Sequence, residues 1–373
     1  MGETRVALTP DVVGAFVRDG WTVEVAAGAG ERAHFSDQSY LDAGAAVVGA
    51  PAGDVNVRVN APTLDEVALL PEGSLHLSFL SPLLQLEVVA ALNERRITAL
   101  SFDLLPRISR AQYMDALSSQ ATVSGYRAVL AAASHFDRFF PLLTKAAGTI
   151  RPARVLVMGV GVAGLQAIAT AKRLGAKVRA YDVRSAAKEE AESAGATFVV
   201  LALTADAAGG YARELSDDER RTQQAALAGE VAQSDVVITT AAVPGRRAPI
   251  LVTTAMVEAM SEGSLIVDMA ADGGGNCEVT RAGEVVERNG VRVVGLTNPP
   301  AEMGAHASFL YANNVAKLLS LFGHGGEVAP AWDDEIVRGV TFAHGGQITH
   351  APTAEALGVE YRDLNAESKE SPS

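Results

Sequence analysis

The sequence predicts an α/β chain of two Rossmann-like doubly wound domains with a cleft between them. Three observations carry that expectation. The first is composition: 48% of the 373 residues are hydrophobic, with 35 glycines and only 5% aromatics. Ala, Val, Leu and Gly dominate, as where parallel strands are buried on both faces. The second is the alternation of short β-branched runs with helical patterns along the chain. The third is one stretch, Arg154-Val-Leu-Val-Met-Gly159-Val-Gly161-Val162-Ala-Gly164-Leu, which reads as strand, glycine turn and helix.

The length suits two domains better than one core. We place a first α/β domain at 1–118, with 305–373 returning to it, and a dinucleotide-binding Rossmann domain at 119–304. Thr9-Pro10 predicts a helix start, Thr as cap and Pro at the first helical position, with an end near Gly20. Strand patterns follow at 21–26, 55–59, 75–79 and 97–100, with a helix over 82–92. A linking helix is expected from Ser109, and another from Gly125 to His135. Residues 144–152 read as a loop. In the second domain, strands are expected at 155–158, 177–182, 198–201, 235–239, 265–269 and 291–295. A helix over 311–321 leads into a mixed tail, and 365–373 are polar enough to be disordered.

The glycine turn has a mechanism. Gly159 permits a tight turn, Gly161 lets a pyrophosphate approach the backbone, and Gly164 lets the helix pack on the sheet. The helix, expected over 162–174 with Gly175 as its stop, offers N–H groups and a dipole to an anion. Asp182 lies about 18 residues after Gly164, near the spacing for a carboxylate that accepts the adenosine ribose hydroxyls. The competing reading is a βαβ unit whose glycines serve packing alone. Asp182 favours NAD(H) over NADP(H), because a 2′-phosphate would meet like charge; Arg184 weighs slightly the other way.

A second constellation spans 106–120. On a helix, Gln112 and Asp115 would share a face, and Ser118 would continue the line. Ser109-x-x-Gln112 is also a capping-box pattern, and Arg107 with Asp115 could be a surface pair worth under about 1 kcal/mol. Alternatively an amide, a guanidinium, a carboxylate and a hydroxyl sit at the mouth between domains and orient a nicotinamide carboxamide. No histidine lies among them, so they are not an acid–base set. Gly209-Gly210-Tyr211 reads either as a flap with one anchoring side chain or as an ordinary loop.

Other classes are disfavoured. A net charge of −13 argues against nucleic acid. No apolar run of about 18 residues and no signal peptide is visible. Cys277, the single cysteine, excludes an internal disulfide, fits a reducing compartment, and has no sequence-neighbouring base to make it a nucleophile. His34, His76, His135, His306, His324, His344 and His350 show no ligand spacing, so no metal is expected.

Together the motifs resemble the soluble NAD(H)-binding component, the alpha subunit or domain I, of the proton-translocating nicotinamide nucleotide transhydrogenase family. The resemblance rests on Pro106-Arg-Ile-Ser-Arg-Ala-Gln112, Leu117-Ser-Ser-Gln120, Gly125-Tyr-Arg-Ala128, the run from Gly159 to Ala176, Gly209-Gly-Tyr-Ala212, Thr239-Thr-Ala241 and Gly274-Gly-Asn-Cys277. It covers nearly the whole chain; alanine dehydrogenase is the related two-domain family. It implies that Gln112 bonds the nicotinamide, with Arg107, Asp115 and Ser118 completing a polar network and Tyr211 tipping a loop that closes over the nucleotide. Gly159, Gly161, Val162 and Gly164 would hold the pyrophosphate. Asp182, Val183 and Arg184 would surround the adenosine, and Thr240-Ala241 would face the nicotinamide side. NADP(H) would sit on a partner subunit, and membrane subunits would conduct protons. Hydride would pass directly between the two nicotinamides. The chain would be a homodimer, cytoplasmic, and held at the inner face of the cell membrane by its partners.

Two departures stand out. Gly2-Glu3-Thr4-Arg5-Val6-Ala7 follows Met1 at once where the family has a preceding strand, so we expect a native start upstream; an intact mass ending at this Met would refute that. Phe79 stands where alanine dehydrogenase carries its acid–base histidine. His76 lies two residues early, about 6.6 Å along a strand, so it is not expected to substitute. Alternatives are an alanine dehydrogenase-like amino-acid dehydrogenase, which also lacks its lysine near Arg58, and a non-catalytic NAD-sensing module.

Overall fold

The structure, a computed structural model, describes residues 2–201, 215–241 and 247–364. The chain divides into two units, Ala121–Glu302 and Gly2–Gln120 with Met303–Ser373. The division falls inside one helix, Ala116–His135.

The unit Ala121–Glu302 is built on one seven-stranded sheet. Its strands are β1 Arg154–Met158, β2 Lys177–Tyr181, β3 Thr197–Phe198, β4 Val236–Thr239, β5 Leu265–Asp268, β6 Val285–Arg288 and β7 Val291–Gly295. Their spatial order is β3-β2-β1-β4-β5-β7-β6. All neighbours are parallel except β6, which pairs antiparallel with β7. Alternation along β1 explains why its run is uniformly apolar. Val155 and Val157 join one buried cluster with Ala167, Ile168 and Ala171 of helix Val162–Arg173. Leu156 and Met158 join a second with Leu227 and Val231 of helix Asp217–Ala232. Each face therefore needs its own apolar set, and each fully buried Val or Leu contributes about 1.5–3 kcal/mol.

The other unit holds a five-stranded sheet. Val55–Val57, Leu75–Ser78 and Thr98–Ser101 run parallel, and Thr341–His344 returns antiparallel beside Thr98–Ser101. Glu24–Ala26 and Ala46–Val48 form a separate parallel pair. Helix Gly304–Leu319, longer than expected, buries Tyr311, Val315 and Leu318 against the sheet.

Several expected elements differ. Thr9 does stand at the N-cap of helix Pro10–Arg18, but its hydroxyl makes no cap bond and is buried without a partner. The expected loop at 144–152 contains a hairpin, Leu143–Lys145 with Gly148–Ile150. The strand expected over 198–201 is Thr197–Phe198. Ser109 is no cap: Ser109–Met114 is a 3₁₀ helix whose N-cap is Ile108, and no side chain caps it.

Candidate functional site

The strand order places a topological switch between β1 and β4. From β1 the chain moves outward through β2 and β3, then returns to the other side of β1. Loops at the carboxyl ends of β1 and β4 therefore part, which is where doubly wound sheets hold ligands. The glycine turn leaves β1, and Thr240-Ala241 leaves β4.

Each glycine can be tested by what a Cβ would meet. Gly159 has φ +97°, and a Cβ there would lie 2.7 Å from Thr240 Oγ1. Thr240 Oγ1 donates to the Gly159 carbonyl at 2.9 Å, tying the two strand ends together. At Gly164 a Cβ would come within 1.9 Å of the Gly159 carbonyl oxygen, so helix and turn touch backbone to backbone. Gly161 differs. It caps helix Val162–Arg173 in an extended conformation, φ −80°, with no side-chain cap bond, and a Cβ there would meet nothing within 4 Å among the described residues. Among the described residues no close contact and no positive φ calls for glycine there, although the N-cap position itself favours Gly over Ala. Its bareness leaves the first-turn N–H groups approachable, as a pyrophosphate needs. The charges agree: the first turn carries no acid, while Lys172 and Arg173 occupy the last. Val162, at the first helical position, is 41% exposed.

Asp182 follows β2 and faces this turn. Its Oδ2 accepts the Val160 N–H at 2.7 Å, and its Oδ1 accepts the Arg184 N–H at 2.9 Å. The Arg184 guanidinium straddles both oxygens at 2.9 and 2.8 Å and also donates to the Val160 carbonyl at 3.0 Å. Burial opposes the charged form of Asp182. The Arg184 bond and the two backbone N–H groups outweigh it and hold the carboxyl below its ordinary range. Val183 packs on the second core cluster.

The polar segment 106–120 belongs to the other unit. Arg107 and Gln112 are exposed. Asp115 does not line up with Gln112 on an α-helix. It sits between the 3₁₀ turn and helix Ala116–His135, where its Oδ1 accepts the Ser118 N–H at 2.9 Å and its Oδ2 accepts the Ser118 hydroxyl. The turn is pinned from behind. Asn314 donates to the Tyr113 carbonyl at 3.0 Å, the Ser119 hydroxyl donates to Asn314 at 2.7 Å, and the Arg110 fork grips Asp334. Sequence reasoning misses Asn314 and Asp334, since neither lies near the segment in the chain. Tyr211 lies outside the described residues.

The position where the resemblance to alanine dehydrogenase would put an acid–base histidine holds Phe79. Phe79 packs its ring 5.7 Å from Phe102 and 5.3 Å from Tyr311. His76 is completely buried, with Nε2 3.1 Å from Ser78 Oγ. Burial first, then Arg58, lowers its pKa to about 3. A ring sealed and neutral there is no proton shuttle at neutral pH. Cys277 is also sealed, and burial pushes its thiol up to about 11.

The family model for the alanine dehydrogenase/PNT N-terminal domain matches residues 1–124, and that for the C-terminal domain matches 128–351. The chain belongs to the alanine dehydrogenase/PNT family. Within it, the chain is 45% identical to the first part of NAD(P) transhydrogenase subunit alpha of Rhodospirillum rubrum, over 94% of this chain and 95% of that one. A transhydrogenase structure from Sinorhizobium meliloti superposes with TM-score 0.82 at 40% identity, covering 94% of this chain and 96% of that one. An L-alanine dehydrogenase structure gives 0.78 at 25% identity, covering 95% and 96%. Among the described residues, no helix is long and apolar enough to cross a membrane.

Proposed function

We propose that this chain is the NAD(H)-binding subunit of an NAD(P) transhydrogenase and that it works with partner subunits. The observation that carries the reading is the Gly161 position, where a Cβ would meet no described atom within 4 Å, at a helix N-terminus beside a charged Asp182. In this reading Gly159, Gly161, Val162 and Gly164 hold the pyrophosphate. Asp182, Val183 and Arg184 surround the adenosine. Thr240 and Ala241 face the nicotinamide side. Bound NAD(H) supplies the hydride. Gln112 fixes the nicotinamide, Arg107 supports it, and the Asp115–Ser118 pair holds the turn that presents it. Tyr211 closes a loop over the nucleotide. These residues orient and exclude water; they carry no acid–base role. NADP(H) binds the partner subunit, hydride passes directly between the nicotinamides, and membrane subunits couple this to proton movement. The chain acts as a homodimer held peripherally at the membrane by those partners.

The nearest rival, an NAD-dependent amino-acid dehydrogenase, lacks support where it needs it most. Phe79 is part of an aromatic cluster and His76 is sealed. The test is direct. The isolated chain is titrated with NADH by nucleotide fluorescence and assayed with pyruvate, ammonia and NADH. Binding without turnover is expected. Sustained amination of pyruvate by the chain alone would replace this reading with the rival.

A further inference from the structure

A buried polar relay stands behind the β4 strand end. Asp268 closes β5 and is fully buried. Its Oδ1 accepts the Thr239 hydroxyl and the Ala270 N–H, both at 3.0 Å. Its Oδ2 accepts the Asn276 N–H at 2.7 Å, the Cys277 N–H at 3.1 Å and the Thr280 hydroxyl at 2.6 Å. The chain between them is tightly turned: Gly275 has φ +80°, and a Cβ there would lie 2.9 Å from Asp268 Oδ2.

The relay continues through Asn276, also fully buried. Its amide oxygen accepts the Ala241 N–H at 3.1 Å, and its amide nitrogen donates to the Ala241 carbonyl and to the Pro249 carbonyl, both at 2.8 Å. Both backbone groups of Ala241 are thus clamped by one side chain. A side-chain amide supplies a donor and an acceptor side by side in that way. The Asn276 carbonyl in turn accepts Leu251 and Val252 N–H groups at 2.8 and 3.0 Å. A buried, fully bonded network of this kind fixes a unique geometry more than it adds net stability.

We propose that Asp268 and Asn276 are positioning residues for hydride transfer: they fix Ala241, and so the edge of the nicotinamide seat, without contacting the nucleotide's anionic half. The inference rests on the proposed placement of Thr240-Ala241 at the nicotinamide side. Dinucleotide affinity is supplied mainly at the glycine turn and Asp182. Ring placement depends on the relay, and misplacement by about 1 Å costs on the order of a hundredfold in rate.

The test uses the full chain combined with its NADP(H)-binding partner subunit. Asn276→Asp replaces both amide N–H donors by an oxygen facing the two carbonyls. Thr280→Val removes one donor to Asp268 with little change of shape, and Thr280→Ser keeps it. Three quantities are measured well below the unfolding temperature: NADH Kd, the emission spectrum of bound NADH, and the single-turnover hydride-transfer rate. For Asn276→Asp we expect Kd within about threefold of wild type, a shifted emission, and a transfer rate at least about tenfold lower. Thr280→Val is expected to fall between, with Thr280→Ser restoring wild-type transfer. An unshifted emission with wild-type transfer rates in folded Asn276→Asp and Thr280→Val overturns the proposal, as does loss of Kd in proportion to rate. Failure of the wild-type chain to bind NADH would instead sink the functional reading itself.

Discussion

In the proposed function two side chains carry opposite halves of nucleotide recognition, and each can be removed alone. Asp182 supplies a desolvated charge, so Asp182→Ala is expected to weaken NADH binding by roughly 1–3 kcal/mol, about 5- to 150-fold in Kd; an unchanged Kd contradicts its role. Gln112 is exposed on a pinned turn, and in the proposed function its contribution is aim. Gln112→Asn is expected to leave NADH affinity within severalfold while cutting hydride transfer strongly. Equal losses of both would mean that the segment binds and does not aim. Residue type and spacing suggest the role of Asp182 from sequence, whereas that of Gln112 is what the family resemblance implies. Asn276 is visible there only as one letter of a motif, because its work is done on a backbone distant in sequence.

At the scale of elements, the glycine turn offers a contrast between packing and ligand. Gly164→Ala forces a Cβ against the Gly159 carbonyl and is expected to cost about 1–3 kcal/mol of stability by urea denaturation. Gly161→Ala meets no described atom within 4 Å and is expected to change stability by less than about 1 kcal/mol, the N-cap preference for Gly set against a less flexible unfolded chain, yet to weaken NADH binding at least about tenfold. If Gly161→Ala binds NADH normally, the turn serves packing alone. The strands β1, β2, β4, β5 and β7 are legible because short, continuous apolar runs between turn signals suit little besides buried strands. The antiparallel β6 escapes that pattern, although Asn289-Gly290 beside it announces a hairpin: both residues take positive φ, 50° and 73°. The 109–114 turn misleads because Ser109-x-x-Gln112 reads locally as a helix start, whereas no side chain caps that turn. Asp115 prevails over Ser109, and tertiary bonds from Asn314 and Asp334 hold the 3₁₀ form, which no local pattern reveals.

For the whole molecule, one buried group links stability to pH. His76 stays neutral in the fold down to about pH 3, driven by burial first and Arg58 second. In the unfolded chain it takes a proton near 6.5. The unfolded state therefore binds more protons between those values, and stability falls as pH drops below about 6.5, by up to about 1.4 kcal/mol per unit from this group. Urea midpoints of wild type are expected to decline more steeply from pH 7 to 5 than those of His76→Asn. Parallel declines would assign the acid sensitivity elsewhere. The same burial keeps His76 itself from exchanging protons near neutral pH.

The most direct measurement combines this chain with the NADP(H)-binding subunit of a transhydrogenase and follows hydride transfer from NADH to an NADP⁺ analogue by stopped flow. Transfer is predicted only when both proteins are present, with no turnover of pyruvate and ammonia by either. Absence of transfer in the mixture, or dehydrogenase turnover by this chain alone, would contradict the transhydrogenase role.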